Sequence, residues 1–139
     1  MPSARILIVE DERQTVDELR DLFELYGYET EVALNKQVAI TILQERSMDI
    51  AIVSTLVQGV PGTEILHEIK KYYATMPIIM ISDQKLKRAE TSSLKAGATV
   101  FLLKPLNHTT ILQTIEDILV APVALTMQKK TKLYSKSRK

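Results

Sequence analysis

Residues 49–66 read Asp49-Ile50-Ala51-Ile52-Val53-Ser54-Thr55-Leu56-Val57-Gln58-Gly59-Val60-Pro61-Gly62-Thr63-Glu64-Ile65-Leu66. Four apolar residues in a row, Ile50 to Val53, are the pattern of a strand covered on both faces, because a half-exposed strand would alternate with polar residues. Gly59 and Pro61-Gly62 then punctuate a loop. Beyond them Ile65, Leu66, Ile69 and Tyr72 recur at helical spacing over about Thr63–Tyr73. The stretch is one strand, one loop and one helix.

Outward from it the same unit repeats. Towards the C-terminus, Pro77 introduces a second doubly covered run, Ile78 to Ile81, and a more polar helix at about Leu86–Ala96 ends at Gly97. Val100 to Leu103 runs into Lys104-Pro105, and a last helix at about Thr109–Val120 carries Ile111, Leu112, Ile115, Ile118 and Leu119 at core spacing. Towards the N-terminus, Ile6 to Val9 precede a helix at about Gln14–Tyr26 striped by Val16, Leu19, Phe23 and Tyr26, with Gly27 suited to its C-terminal end. Tyr28–Leu34 alternates Glu29 and Glu31 with Thr30 and Val32, the polarity of an edge strand. A helix at Lys36–Arg46 offers Val38, Ile42 and Leu43 to the core.

Strict alternation of strand and helix implies right-handed parallel crossovers with helices on both faces of one sheet. Five units in this length predict a single doubly wound (βα)5 α/β domain, a parallel five-stranded sheet in the order 2-1-3-4-5. In that order a site forms beyond the carboxyl ends of the strands. The loops there read Glu10-Asp11-Glu12, Ser54-Thr55-Leu56, Ser82-Asp83 and Lys104-Pro105. Carboxylates, hydroxyls and one ammonium would share a crevice, and hard oxygen donors of this kind suit Mg²⁺ better than a soft metal.

Composition bounds the rest. The chain has 139 residues, enough for one ordinary core, with 45% apolar and 25% charged residues as in soluble globular proteins. It has no cysteine, so disulfides and thiolate metal sites are excluded. No apolar run is long enough for a signal peptide or a membrane span, which makes a cytoplasmic protein the default expectation. The net charge of +1 divides into six basic residues from Lys129 to Lys139 and −5 over residues 1–128. An acidic body argues against a nucleic-acid partner. The basic tail reads as a solvated, disordered terminus, and the apolar stretch Val120–Leu125 before it needs cover to avoid a sticky patch. His67 and His108 are too isolated to form a ligand set.

The order of these loops resembles the response-regulator receiver family of two-component signalling: an acidic pair after the first strand, a hydroxyl after the fourth, Lys-Pro after the fifth. Gly59 and Gly62 stand at matching positions, as do Gly97-Ala98, Phe101 and Lys104-Pro105, and the likeness runs from about residue 4 to 120. The resemblance implies a flavodoxin-like receiver domain at 4–121 followed by a C-terminal extension at 122–139. It also implies Mg²⁺ held by Glu10, Asp11 and the Leu56 carbonyl, phosphoryl contacts from Ser82 and Lys104, Phe101 as the switch aromatic, and a cis Lys104–Pro105 bond.

The resemblance calls for a phosphate-accepting aspartate directly after Val53, and the chain has Ser54 there. A serine hydroxyl without an adjacent base is a poor nucleophile, and losing a carboxylate weakens the metal site. Gln58, Asp83 and Leu103 also depart from the usual residue types. The expectation is a stand-alone pseudo-receiver that is not an enzyme and works by phosphorylation-independent contacts with a histidine kinase or downstream effector, a homodimer being a further option. The alternative is a switch worked by serine modification or an anionic ligand at Ser54 and Lys104. A flavin protein of similar topology would want a phosphate loop free of acids after the first strand, which Glu10-Asp11-Glu12 is not.

Overall fold

The fully apolar runs of the sequence become the central strands. In a computed structural model, which describes residues 4–83, 85 and 87–120, β1 is Arg5–Val9, β3 is Ile50–Ser54 and β6 is Ile78–Ser82, and every residue of the last two is buried. The edge strands are β2, Glu29–Ala33, and β7, Val100–Leu103. Their neighbours are all parallel, with Ile6 opposite Ile50, Val53 opposite Met80 and Met80 opposite Phe101. The polarity of β2 is that of an edge: Glu29 pairs with Arg5 at 3.0 Å and Glu31 with Arg46.

The expected order 2-1-3-4-5 is corrected in one respect. The chain has two further strands, β4 (Leu56–Val57) and β5 (Val60–Pro61), which form a separate antiparallel hairpin, so the large sheet reads 2-1-3-6-7. The hairpin turns on Gln58 (φ 49) and Gly59 (φ 77), the two left-handed residues that a tight two-residue turn requires. Its strands are too short for any periodicity to register.

Helices α1 (Arg13–Leu25), α2 (Lys36–Glu45), α3 (Gly62–Tyr72) and α4 (Lys87–Ala96) connect the strands. The chain reverses direction at β1, so right-handed crossovers set α1 on one face and α2, α3 and α4 on the other. The second face holds a buried cluster that includes Leu7, Val9, Ala51, Val53, Ile78 and Met80 from the strands, and Ala39, Leu43, Ile65, Leu66 and Ile69 from α2 and α3. Alternate strand residues Ile6, Ile8, Ile50, Ile52, Ile79 and Ile81 are equally buried on the opposite face. In α1, Val16, Leu19, Leu22 and Phe23 are buried, and the Phe23 ring meets Tyr28 edge-on at 6.3 Å.

Three inward assignments fail, two of them by a single position. Val38 is exposed, and α2 buries Ala39 beside the expected Leu43. Tyr72 is exposed, while Tyr73, just past α3, packs on the core and donates its hydroxyl to the Leu43 and Arg46 carbonyls at 3.3 Å. Tyr26 caps α1 and faces solvent. One residue turns a helix by about 100°, so such an error is enough to move a side chain off the buried stripe.

The chain divides into two compact units, one ending at Asn107 and one starting at His108. In the second, α5 (His108–Leu119) buries Ile111 and Ile115, four residues apart on one stripe, and Leu112, Ile118 and Leu119 are half-buried. The proposed extension at 122–139, with its basic tail, lies outside the described residues. Among the described residues no helix is long and apolar enough to cross a membrane.

Candidate functional site

Parallel strands release their loops at one edge, and the loops after β1, β3, β6 and β7 meet there. They bound a cavity of about 240 Å³ whose lining includes Glu10, Asp11, Ser54, Leu56, Gln58 and Lys104. Ser54 is the last residue of β3 and is only 5% exposed. Ser82, the last residue of β6, is fully buried and accepts a hydrogen bond from the Thr55 hydroxyl at 3.1 Å. Phe101 lies on β7 away from this lining, half-buried against the core cluster. The Lys104–Pro105 peptide is cis.

Backbone contacts hold these ends in register. The Thr55 amide donates to the Ile81 carbonyl at 2.9 Å, the Lys104 amide to the Ser82 carbonyl at 2.7 Å, and the Gly62 amide to the Thr55 carbonyl at 2.7 Å. The start of α3 is thereby tied to the loop after β3, and the end of β7 to the end of β6.

The electrostatics centre on Glu10, which is 1% exposed. Its Oε2 accepts from the Asp11 and Glu12 amides, both at 2.9 Å. Its Oε1 lies 2.8 Å from Lys104 Nζ, an ion pair without an aligned hydrogen bond. Lys104 Nζ also reaches Glu12 Oε1 at 3.1 Å, and Thr15 donates its hydroxyl to the same oxygen at 2.6 Å. Burial pulls the Lys104 ammonium down, but the Glu10 and Glu12 carboxylates together outweigh it and hold the group above its ordinary value. The Thr15 hydroxyl, and after it Lys104, hold the Glu12 carboxyl below its ordinary value.

These shifts set a pH window. The raised Lys104 contributes stability that is complete below the unfolded lysine value of about 10.4 and is lost as pH rises through the higher folded value. The lowered Glu12 contributes stability that is present above the unfolded value of about 4.3 and is lost as pH falls through the lower folded value. Urea midpoints measured against pH should therefore form a plateau with an alkaline fall beyond pH about 10.4. A Lys104→Met variant should lack that alkaline component, and an unchanged fall would assign it to other groups.

Asp11 is held from another side. Its Oδ2 accepts from the Gln58 amide at 2.8 Å and from Gln58 Nε2 at 3.2 Å. A left-handed glutamine costs about 1 kcal/mol, and these two bonds to a carboxylate offset that cost. The sequence reading gathered Glu10, Asp11, Ser54, Leu56 and Lys104 correctly at one crevice. The sequence places Glu12 in that crevice as well, without fixing its partner, and misses Gln58 as the clamp on Asp11. Glu12 had a signal, one residue beyond the acidic pair, and Gln58 directly precedes a turn glycine.

Mg²⁺ demands near-octahedral oxygen ligation. Among the described residues no group of three or more His, Cys, Asp or Glu side chains is arranged to hold a metal ion. Both Glu10 oxygens and one Asp11 oxygen already face cationic or N–H partners, and Ser54 adds only a neutral hydroxyl. The donor set does not fit the ion.

Fold and crevice define a flavodoxin-like α/β protein with a charged site at the carboxyl edge of its sheet. The chain belongs to the response regulator receiver domain family, whose profile matches residues 6–116. It is 32% identical over 105 residues to an NtrX-like response regulator of Rickettsia bellii, covering 74% of this chain and 22% of that protein. The chain thus spans less than a quarter of that relative's length. Among solved structures it resembles a CheY-like receiver domain protein of Methanospirillum hungatei, with a TM-score of 0.79 at 28% identity, over 84% of this chain and 94% of that one. The receiver domain of NtrX from Brucella abortus gives 0.78 at 28% identity, over 82% and 97%.

Proposed function

We propose that this chain is a receiver module of two-component signalling that works through protein–protein contacts without aspartyl phosphorylation. The observation that carries the reading is Ser54 at the carboxyl end of β3, where the family resemblance calls for the acceptor aspartate. No neighbouring acid substitutes for it. Asp49 precedes the other end of β3, about 16 Å away at strand spacing, and accepts from the Arg5 amide at 2.7 Å. Glu10 and Asp11 are engaged as described, and neither histidine lines the crevice. Among the described residues no base is hydrogen-bonded to the Ser54 hydroxyl to activate it.

Partners on this reading are a histidine kinase or a downstream effector protein, and the module has no catalysis of its own. The body charge of −5 over residues 1–128 disfavours nucleic acid. The alternative switches meet physical obstacles. A serine kinase needs its target accessible, and Ser54 is buried. An anion entering beside Lys104 must compete with Glu10 and Glu12.

Beryllofluoride or acetyl phosphate, added to protein already in Mg²⁺, tests the reading by NMR. The amide signals of Ser54, Thr55, Ser82 and Phe101 are expected to stay where they were. Saturable shifts on adding the phosphoryl donor would refute it.

A further inference from the structure

We propose that Lys104 and Gln58 take the place of the divalent cation, neutralising the acidic crevice from within so that it does not take up Mg²⁺. The inference rests on the family reading of the crevice and concerns the metal, not the phosphoryl group.

An Mg²⁺ ion at Glu10, Asp11 and the Leu56 carbonyl would need carboxylate oxygens free to turn towards it. Glu10 has none. Two backbone amides hold Oε2 at 2.9 Å, and the Lys104 ammonium sits 2.8 Å from Oε1. A divalent ion beside that ammonium would meet direct repulsion in a pocket where Glu10 is 1% exposed and little water is available to screen it. Asp11 has one oxygen held by two donors of Gln58.

The two substitutes come from different elements. Lys104 follows β7, and its backbone is anchored through its amide to the Ser82 carbonyl. Gln58 forms the left-handed corner of the β4–β5 hairpin, whose φ of 49 directs its own amide at Asp11. The ion could draw on Glu10 only if Lys104 withdrew, and that would leave the buried Glu10 carboxylate without its counter-charge. Lys104 also bridges to Glu12 at 3.1 Å, so one ammonium balances parts of two carboxylates, as a bound ion otherwise would. Ser54, being neutral, adds no carboxylate at the end of β3.

The test needs no phosphoryl donor. Isotope-labelled full chain is titrated with MgCl₂ and with paramagnetic MnCl₂ at constant ionic strength. Across the millimolar range, no saturable shift or selective broadening is expected at Glu10, Asp11, Leu56 and Gln58. Saturable binding there by the wild type would overturn the inference, yet leave the absence of a beryllofluoride response standing. Lys104→Met supplies the opposite arm. With its internal cation gone, the crevice should bind Mg²⁺, and Mg²⁺ should raise the variant's melting temperature but not the wild type's. Should the variant fold only when Mg²⁺ is added, with KCl of equal ionic strength ineffective, that result also supports the inference. A folded variant that gains no ion binding would overturn it. If the variant folds under neither condition, the wild-type titration decides alone.

Discussion

Lys104→Met is expected to lower stability by about 3–5 kcal/mol, the usual penalty for stripping a buried charge of its partner. Methionine keeps most of the length of the stem, so the loss is electrostatic more than steric. Glu10 is 1% exposed and Lys104 is 13% exposed in its side chain, so neither is relieved by solvent. Urea unfolding should show a lower midpoint with an unchanged slope. The Glu10→Gln, Lys104→Met double variant should be less damaged than the sum of the singles, with a coupling of about 1–3 kcal/mol, because glutamine can still accept from the Asp11 and Glu12 amides and leaves no charge behind. Glu12→Gln is the contrast. That carboxylate is 54% exposed, and its removal should cost no more than about 1 kcal/mol. Equal losses at Glu10 and Glu12 would mean that the ion pair is not organised around the buried acid.

The scaffold of this site was legible because its central strands leave little choice. Ile50–Val53 and Ile78–Ile81 contain no polar residue, so they belong under helices on both sides, and their ends must share an edge. That reasoning alone brings Glu10, Asp11, Ser54 and Lys104 to one edge. The pairing inside the crevice was not legible. Whether Lys104 turns to Glu10, Glu12 or open solvent depends on side-chain reach across loops, which no periodicity records. The β4–β5 hairpin escaped for a related reason, since Val57 and Val60 flank a turn but form strands of two residues. Gln58 could then be read only as a departure from type, when its position also makes it the clamp on Asp11.

Polar misreadings and apolar ones have different physical origins here. Val38 and Tyr72 are each one residue off the buried stripe, and Tyr26 lies past the end of α1. Taking Glu10 and Asp11 as ligands leaves out their partners within the protein, which for Glu10 burial demands. Glu10 finds two amides and a lysine, and Asp11 finds both donors of one glutamine.

Gly62→Ala should destabilise the protein by about 3 kcal/mol, at the upper end of the usual penalty for overpacking, although the same exchange inside a helix normally stabilises by about 1 kcal/mol. Gly62 opens α3 directly beneath the end of β3. A Cβ there would overlap the Ser54 carbonyl oxygen and lie 2.7 Å from Met80 Cε and 2.9 Å from Thr55 Cα. Met80 can turn aside, but the other two contacts are backbone. Relief therefore requires α3 to move away from β3, straining the 2.7 Å bond from the Gly62 amide to the Thr55 carbonyl. Chemical unfolding should report the loss. Amide shifts should spread through Ser54, Thr55 and Leu56 to Gln58, whose hold on Asp11 depends on where that loop lies. Gly27→Ala separates steric from conformational causes: Gly27 has φ 88 with nothing within 4 Å of its would-be Cβ, so its cost, about 1 kcal/mol, is conformational and its shifts should stay at the end of α1. A Gly62→Ala variant as stable as the wild type, with an undisturbed loop, would mean that α3 does not press on the Ser54 carbonyl.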